Sequence, residues 1–311
     1  MKPLTGKVAV VAGATRGAGR GIAVELGAAG ATVYCTGRST RAQASDMNRS
    51  ETIEETAERV TAAGGQGVAV RVDHSRENEV RAFFEQVNTE QNGQLDLLVN
   101  DVWGGDDLTE WGKPFWELDL EKGLRMLERA LFTHIITSRY GAPLMVARGS
   151  GLIIEMGDGD TLEYRGNFLY DFVKTSVIRL ALGMAEELKG RARTVESGDV
   201  HLSATGVTAL ALTPGYLRSE AMLELYGVTE ANWQDAAPTH PGFIASETPH
   251  FVGRAVVALA SDPKVSGKSG GAFSSWGLSD EYGFSDIDGN RPHWGRYFEE
   301  HFRDKATQTG T

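Results

Sequence analysis

Short continuous apolar runs alternate along this chain with stretches of helical spacing. The first run, 8–11, is broken by the glycines of 13–19, and a helical pattern follows over 22–29. A second run spans 31–35. A polar stretch then leads to a helix carrying Ile53, Ala57 and Val60, and to a third run at 68–72. Val80, Phe83, Phe84 and Val87 share one face of the next helix, over 76–91, and a fourth run occupies 95–100. One long helical region covers 118–148. A fifth strand at 152–156, a helix over 170–189 and a sixth strand at 207–212 follow, then a helix over 251–260 and a seventh strand at 271–276. Strands apolar on both faces, separated by amphipathic helices, predict a parallel sheet covered on both sides. Right-handed crossovers make it a Rossmann-type, doubly wound α/β sheet of about seven strands.

The pattern holds no repeat and no linker long enough to divide it. A single domain is expected over 1–276, with a substrate lid around 216–240 and an extension over 277–311. The polar stretch 191–206 reads as a surface excursion. In the extension, Trp294, Tyr297, Phe298 and Phe302 need a surface to cover: the parent domain, or a neighbouring subunit of a homo-oligomer, dimer or tetramer.

Composition narrows the partners. The chain has 311 residues and a net charge of -11. An acidic surface repels nucleic acid and anionic membranes, so neither is expected as a partner. The single cysteine, Cys35, sits in an apolar run, where it serves as a small core residue; no thiolate-rich metal site and no internal disulfide is expected. The start of the chain lacks the layout of a signal peptide and no apolar run is long enough to span a membrane, which makes the cytoplasm the expected location.

The chemistry begins at Gly13-x-x-x-Gly17-x-Gly19, between the first strand and first helix, with Thr15, Arg16 and Ala18 among the glycines. Such a turn lets backbone approach a pyrophosphate at a helix N-terminus. The second strand ends in Gly37-Arg38-Ser39. An NAD site would carry an acidic residue there for the ribose 2′-hydroxyl. Arg16, Arg38 and a hydroxyl suit a 2′-phosphate instead, so NADP(H) is the expected cofactor. Asp73, followed by His74, ends the third strand, placed to accept from an adenine amino group or to cap the helix over 76–91. Asn100 ends the fourth, where its amide can brace neighbouring loop backbones. Tyr170 and Lys174 lie four residues apart and share one helix face; an ammonium beside a phenol lowers its pKa and fits it for acid–base work.

These features resemble the short-chain dehydrogenase/reductase family over roughly residues 4 to 275. The glycine motif, Tyr170-x-x-x-Lys174 and Pro214-Gly215 after the sixth strand carry the likeness. The segment SRYGAPLMVARGSGLIIE is most similar to the branch around the mammalian dehydrogenase/reductase member 1 type. The resemblance implies that Lys174 holds the nicotinamide ribose and that Tyr170 gives a proton to a carbonyl oxygen. It also marks departures. A serine expected at the end of the fifth strand falls on Gly157 when counted back from Tyr170, and on Asp158 when counted along the strand; the strand count is preferred. An asparagine expected in the preceding helix falls near Ala130, and 119–150 contains none, with His134 one turn on. Asn100-Asp101-Val102-Trp103 replaces Asn-Asn-Ala-Gly.

An ionised Asp158 would oppose the negative charge that grows on a carbonyl oxygen, whereas a protonated one would donate as serine does. A charged carboxylate would instead suit an iminium or amine, and Asp-Gly-Asp is also good turn chemistry. Trp103, Tyr164 and Tyr216 are expected to bind the substrate, with Trp111, Phe115 and Trp116 on the same edge of the sheet. Two functions follow. One is reduction of a bulky apolar carbonyl, or the reverse reaction, with an imine as its variant. The other is a non-redox role: elimination, rearrangement or NADP sensing.

Overall fold

A computed structural model describes residues 1–44, 49–194, 198–201 and 203–303. Its strands are β1 (Val8–Ala12), β2 (Thr32–Gly37), β3 (Gln66–Arg71), β4 (Leu97–Asn100), β5 (Gly151–Met156), β6 (Arg191–Thr194), β7 (Gly198–His201), β8 (Val207–Thr213) and β9 (Ala272–Ser274). Its helices are α1 (Gly17–Ala28), α2 (Ile53–Ala62), α3 (Glu77–Glu90), α4 (Leu120–Leu127), α5 (Thr133–Arg148), α6 (Phe168–Leu188), α7 (Glu220–Leu225), α8 (Pro249–Ser261), α9 (Ser275–Tyr282) and α10 (Trp294–Phe298). Seven parallel strands form one sheet in the order β3-β2-β1-β4-β5-β8-β9.

The period-two geometry of a strand explains the two-layer core. Along β1, Ala9 and Val11 point to one face, Val8 and Val10 to the other. The first face packs on Ile22 and Leu26 of α1 and Val252, Val256 and Leu259 of α8. The second packs on Val80, Phe83, Phe84 and Val87 of α3 and Met145 of α5. Each such side chain contributes about 1.5–3 kcal/mol when fully buried. Cys35 is buried in the first layer, as its apolar setting predicts. Helices α1 and α8 cross closely because both carry glycine at the contact. A Cβ on Gly21 would lie 2.1 Å from the Pro249 carbonyl oxygen, and one on Gly253 2.7 Å from that of Gly21.

Three expectations change. The long helical region 118–148 is interrupted by a π turn, Glu128–Phe132, between α4 and α5, with Ala130 buried inside it. The seventh strand of the sheet, β9, stops at Ser274, because that side chain caps α9 by accepting from the Gly277 amide. Trp276 is therefore helical. A boundary between 276 and 277 falls inside α9, whose Leu278 is buried with the first core layer. Within 191–206 the backbones of β6 and β7 pair antiparallel; residues 195–197 and 202 of that stretch lie outside the described residues, as do 304–311 of the extension.

Chain order reverses direction across the sheet between β1 and β4, which lie side by side with Ala12 opposite Asn100. The loops that leave these two strands diverge there, opening the cleft that such sheets offer to ligands.

Candidate active site

The cleft has a volume of about 890 Å³ and runs from the glycine turn to Tyr170. At its nucleotide end, Gly13 and Gly17 have positive φ (90° and 54°), which glycine adopts without strain. A Cβ on Gly13 would sit 2.5 Å from the Asp101 carbonyl oxygen, and one on Gly19 2.3 Å from that of Gly13. Glycine is needed for this turn to fold back on the β4 loop. Thr15, Arg16, Gly17 and Ala18 line the cleft; Gly19 packs behind it. Opposite stand Gly37, Arg38 and Ser39. A Cβ on Gly37 would meet Thr15 Oγ1 at 2.7 Å, so a larger residue at the end of β2 requires the Thr15 side chain to move.

The flanking positions behave less uniformly. Asp73 reaches the cleft, but its Oδ1 accepts from the Ser75 amide (3.0 Å) and hydroxyl (2.6 Å), closing a local turn, and it does not cap α3. His74 does not present a ring nitrogen to the cleft: its ring spans Thr36 Oγ1 and Thr137 Oγ1, at 2.8 Å each. Burial pushes this imidazole down to about 4, so it is neutral, with one nitrogen donating and one accepting. Asn100 is fully buried behind the cleft. It braces side chains and not loop backbone, donating to Glu155 Oε1 (2.7 Å) and Ser138 Oγ (2.8 Å). Pro214 and Gly215 line the cleft, and the Gly215 amide donates to Glu247 Oε2 (2.9 Å). Burial raises Glu247 to about 8.

At the other end, Tyr170 is set by the start of α6. Asn167 Oδ1 accepts from the amides of Leu169 (3.1 Å) and Tyr170 (3.0 Å), and its Nδ2 donates to the Glu110 carbonyl (2.9 Å). The Tyr170 hydroxyl donates to Asp158 Oδ2 at 2.7 Å. Of the two positions left open by counting, Asp158 faces Tyr170. Gly157 lines the cleft with nothing nearer than 4.0 Å to where a Cβ would stand. Lys174 Nζ lies 4.0 Å from the centre of the Trp103 ring, and Trp103 meets Tyr170 edge-on with centroids 5.5 Å apart.

In this setting burial and Asp158 are the main influences on the phenol. Burial, then the charge and hydrogen bond of Asp158, hold the Tyr170 phenol well above its ordinary range. Burial also lowers Lys174, against the pull of Asp158 and Asp101. Asp101 is raised to about 7 by burial, with Lys174 and His134 opposing.

Behind the π turn lies a polar network that local patterns do not announce. Glu155 on β5 is fully buried; its Oε2 lies 2.6 Å from His134 Nδ1, and its Oε1 accepts from Asn100 and Ser138. His134 Nε2 lies 3.0 Å from the Val102 carbonyl. A carbonyl only accepts, so that nitrogen carries a proton, and the ring ties the Asp101–Trp103 loop to β5. A charged residue inside a continuous apolar strand is the one sequence signal that marks this network.

Aromatic walls close the cleft. Trp103, Trp111, Tyr216 and Trp294 line it, with Trp294 packed on Tyr216 at 5.3 Å between centroids. The extension thus supplies a wall of the same chain's cleft. Tyr164, expected to bind substrate, is 67% exposed and stands outside, as do Phe115 and Trp116. The loop that carries Tyr164 is held by Arg165, which bonds back to the Asp158 and Thr161 carbonyls.

The sheet order, the glycine turn at the β1–β4 crevice and the Tyr-x-x-x-Lys helix together define a dehydrogenase of the doubly wound class. Residues 7–225 match the family described as short chain dehydrogenase, and the chain belongs to that family. It is 37% identical over 291 residues to dehydrogenase/reductase SDR family member 1 of mouse, and equally to that of human, covering 92% of this chain and 85% of each relative. The fold is shared with a short chain dehydrogenase of Mycobacterium thermoresistibile (TM-score 0.74, 22% identity, 94% of this chain and 92% of that one). A dehydrogenase-like structure from Xanthomonas campestris is similar too (TM-score 0.72, 23% identity, 93% and 94%).

Membership makes the chain an oxidoreductase acting on a small molecule with a nicotinamide dinucleotide. The residues fit such a group. The turn at Gly13 has no room for a side chain, leaving backbone open to a diphosphate. The first amide of α1, Gly17 N–H, already donates to a carboxylate oxygen, Glu220 Oε2, at 2.8 Å, so it is a working anion donor. Among the described residues no helix is long and apolar enough to cross a membrane.

Proposed function

We propose that this protein is an NADP(H)-dependent oxidoreductase that interconverts a bulky, largely apolar carbonyl compound and its alcohol. Tyr170 and Asp158 together move the proton, and Lys174 supports them. The observation that carries this reading is the 2.7 Å hydrogen bond from Tyr170 to Asp158 inside the cleft that begins at the glycine turn. Gly37, where an NAD site carries a carboxylate, and the neighbouring Arg38 and Arg16 favour NADP(H) over NAD(H). The four aromatic walls favour a bulky apolar substrate.

When bound, the cofactor supplies or accepts the hydride. The rest falls to the chain's own side chains. Forming a free phenolate at Tyr170 is costly, because burial and Asp158 both resist it. A relay avoids that cost. In the oxidation direction the substrate hydroxyl gives its proton to Tyr170 Oη while the Tyr170 proton passes to Asp158 Oδ2. In reduction the same two protons run backwards, from Asp158 to Tyr170 and from Tyr170 to the carbonyl oxygen. Lys174, held over Trp103, keeps positive charge beside the developing alkoxide. His134 and Glu155 hold the Trp103 loop in place.

A second reading, an imine or iminium substrate, is favoured by a carboxylate where the family has a hydroxyl, since a charged Asp158 would pair with a cationic carbon–nitrogen bond. A panel of carbonyls and imines, followed by consumption of NADPH, tests both. Turnover of bulky ketones or aldehydes supports the first, and turnover of imines alone supports the second. Tight NADPH binding with no turnover of either would sink both and leave a non-redox role. Arg38→Asp should move preference from NADP(H) toward NAD(H), and an unchanged preference would refute the cofactor assignment.

The other expectations belong to the same proposal: a cytoplasmic homo-oligomer with no nucleic-acid or membrane partner, its substrate-binding segment within 216–240. Residues Tyr216, Leu217, Ser219, Ala221, Met222 and Leu225 of that segment line the cleft, which supports its role as a cover.

A further inference from the structure

We propose that Glu220 is an internal anion that competes with the cofactor's diphosphate for the N-terminus of α1, and so sets the affinity of the cleft for dinucleotide. This rests on the reading of the cleft as a dinucleotide site. Glu220 is 203 residues from Gly17 in the chain, yet its Oε2 accepts the Gly17 amide proton at 2.8 Å, and its Oε1 lies 3.4 Å from Arg20 Nη1. Gly17 N–H is the first amide of a twelve-residue helix. It carries positive partial charge at the cleft, and a phosphate entering there needs the same donor. One N–H donates to one oxygen well, so the two anions exclude each other.

The neighbouring residues make this more than a chance contact. One turn along α7, Glu224 pairs with Arg49 Nη1 at 2.7 Å, so the short helix is held by a second carboxylate–guanidinium contact beside that of Glu220 with Arg20. Just before α7 the chain is fixed independently. Arg218 is buried, donates to the Ser246 carbonyl at 2.7 Å, pairs with Glu230 at 3.0 Å and stacks on Trp233 at 4.1 Å. Ser219 caps α7. The exchange of carboxylate for phosphate therefore falls on α7 and its side chains, while the anchored segment before it stays in place. An alanine at 220 removes the competitor and leaves the amide for the ligand, whereas a glutamine removes its charge and keeps a neutral acceptor.

Calorimetric titration tests this on the full chain, with three probes: NADPH, inorganic pyrophosphate and adenosine 2′-monophosphate. In E220A, NADPH and pyrophosphate should bind about tenfold tighter, the scale of one charge at a helix N-terminus, and in E220Q, which keeps a neutral acceptor, tighter by a smaller factor. Adenosine 2′-monophosphate, which lacks the diphosphate, should bind as it does to wild type. Equal or weaker pyrophosphate binding in folded variants, as judged by circular dichroism, overturns the proposal. Wild-type protein provides a reading that needs no variant: pyrophosphate should speed hydrogen exchange over α7, and unchanged exchange at saturation counts against the exchange of anions. Should NADPH bind to no form while pyrophosphate shows the gain, the dinucleotide reading fails and the internal anion stands. Should NADPH bind wild type and both variants with one affinity, and pyrophosphate likewise, the internal anion fails and the dinucleotide reading stands.

Discussion

Replacing Asp158 with Asn keeps the side chain's shape and removes its charge, which isolates what the carboxylate does for Tyr170. The bond between them is 2.7 Å long and its acceptor is a carboxylate oxygen. A hydrogen bond to a charged group contributes about 1.5–3 kcal/mol and one to a neutral amide about 0.5–1.5, so the bond alone weakens by roughly 1–2 kcal/mol. That is about a five- to thirtyfold change in an equilibrium constant. The larger loss is chemical, because an amide cannot take the relayed proton. General-base contributions of about 10²–10⁴ then set the expected fall in kcat for alcohol oxidation. KM should change little, since Asp158 acts in the proton transfer and not in holding the apolar substrate. The assay is the initial rate of NADP+ reduction with the alcohol of the best carbonyl substrate, for D158N, Y170F and the double variant. Residues that act as one relay are not additive, so the double variant should be no slower than Y170F. Spectrophotometric titration of the phenol gives a second check: D158N should release the Tyr170 proton at lower pH than wild type, though burial keeps it above the ordinary phenol range. An unchanged kcat in D158N, or fully multiplicative losses, would refute the relay and leave Asp158 as a turn residue.

Two further outcomes follow from burial and packing. Glu247 is raised to about 8 in the folded chain, above its ordinary carboxylate value, so the folded state holds a proton that the unfolded chain releases. Its stabilising effect is complete at acid pH and is lost as pH rises toward and through 8. Glu247→Gln should therefore match wild type near pH 5 and exceed it by roughly 2–4 kcal/mol near pH 8, read by denaturant unfolding; an equal difference at both values would refute the assignment. Gly21→Ala raises helix propensity by up to about 1 kcal/mol. It also drives a Cβ to 2.1 Å from the Pro249 carbonyl oxygen, in backbone that cannot step aside without parting α1 from α8. Overpacking costs about 1–3 kcal/mol, and more where backbone must move, which outweighs the propensity gain. The variant should melt at a lower temperature, and a higher one would show that the crossing is looser than the contact implies.

The chain's local patterns were enough for the sheet and for the ends of the cleft. Strands β1, β4, β5 and β8 read as apolar runs because both of their faces are covered, and that burial leaves its mark in consecutive residues. The glycine turn and the Tyr170–Lys174 pair are legible for the same reason: each acts through neighbours within a few residues. What local spacing cannot carry is the identity of a partner far along the chain. Counting gives Gly157 by loop length and Asp158 by strand length; the strand count favours Asp158, and only the packed loop turns its Oδ2 to Tyr170. The pairing of lysine and phenol is legible locally, but the phenol's upward shift depends on burial and on Asp158, which only the packed cleft supplies. His74 lines the cleft and Asn100 stands behind it, but which groups take their hydrogen bonds is not legible at the strand ends: Thr137, Ser138 and Glu155 are brought in by α5 and β5. Tyr164 sits on the right loop and faces the wrong way, while Trp294, from a stretch that seemed an addition, forms a wall. Glu220 meets Gly17 only because α7 folds over the amino end of α1. Sequence determined the elements, whose forces act over a few residues, and tertiary structure decided the partners, because hydrogen bonds and desolvation depend on what the fold brings within about 3 Å.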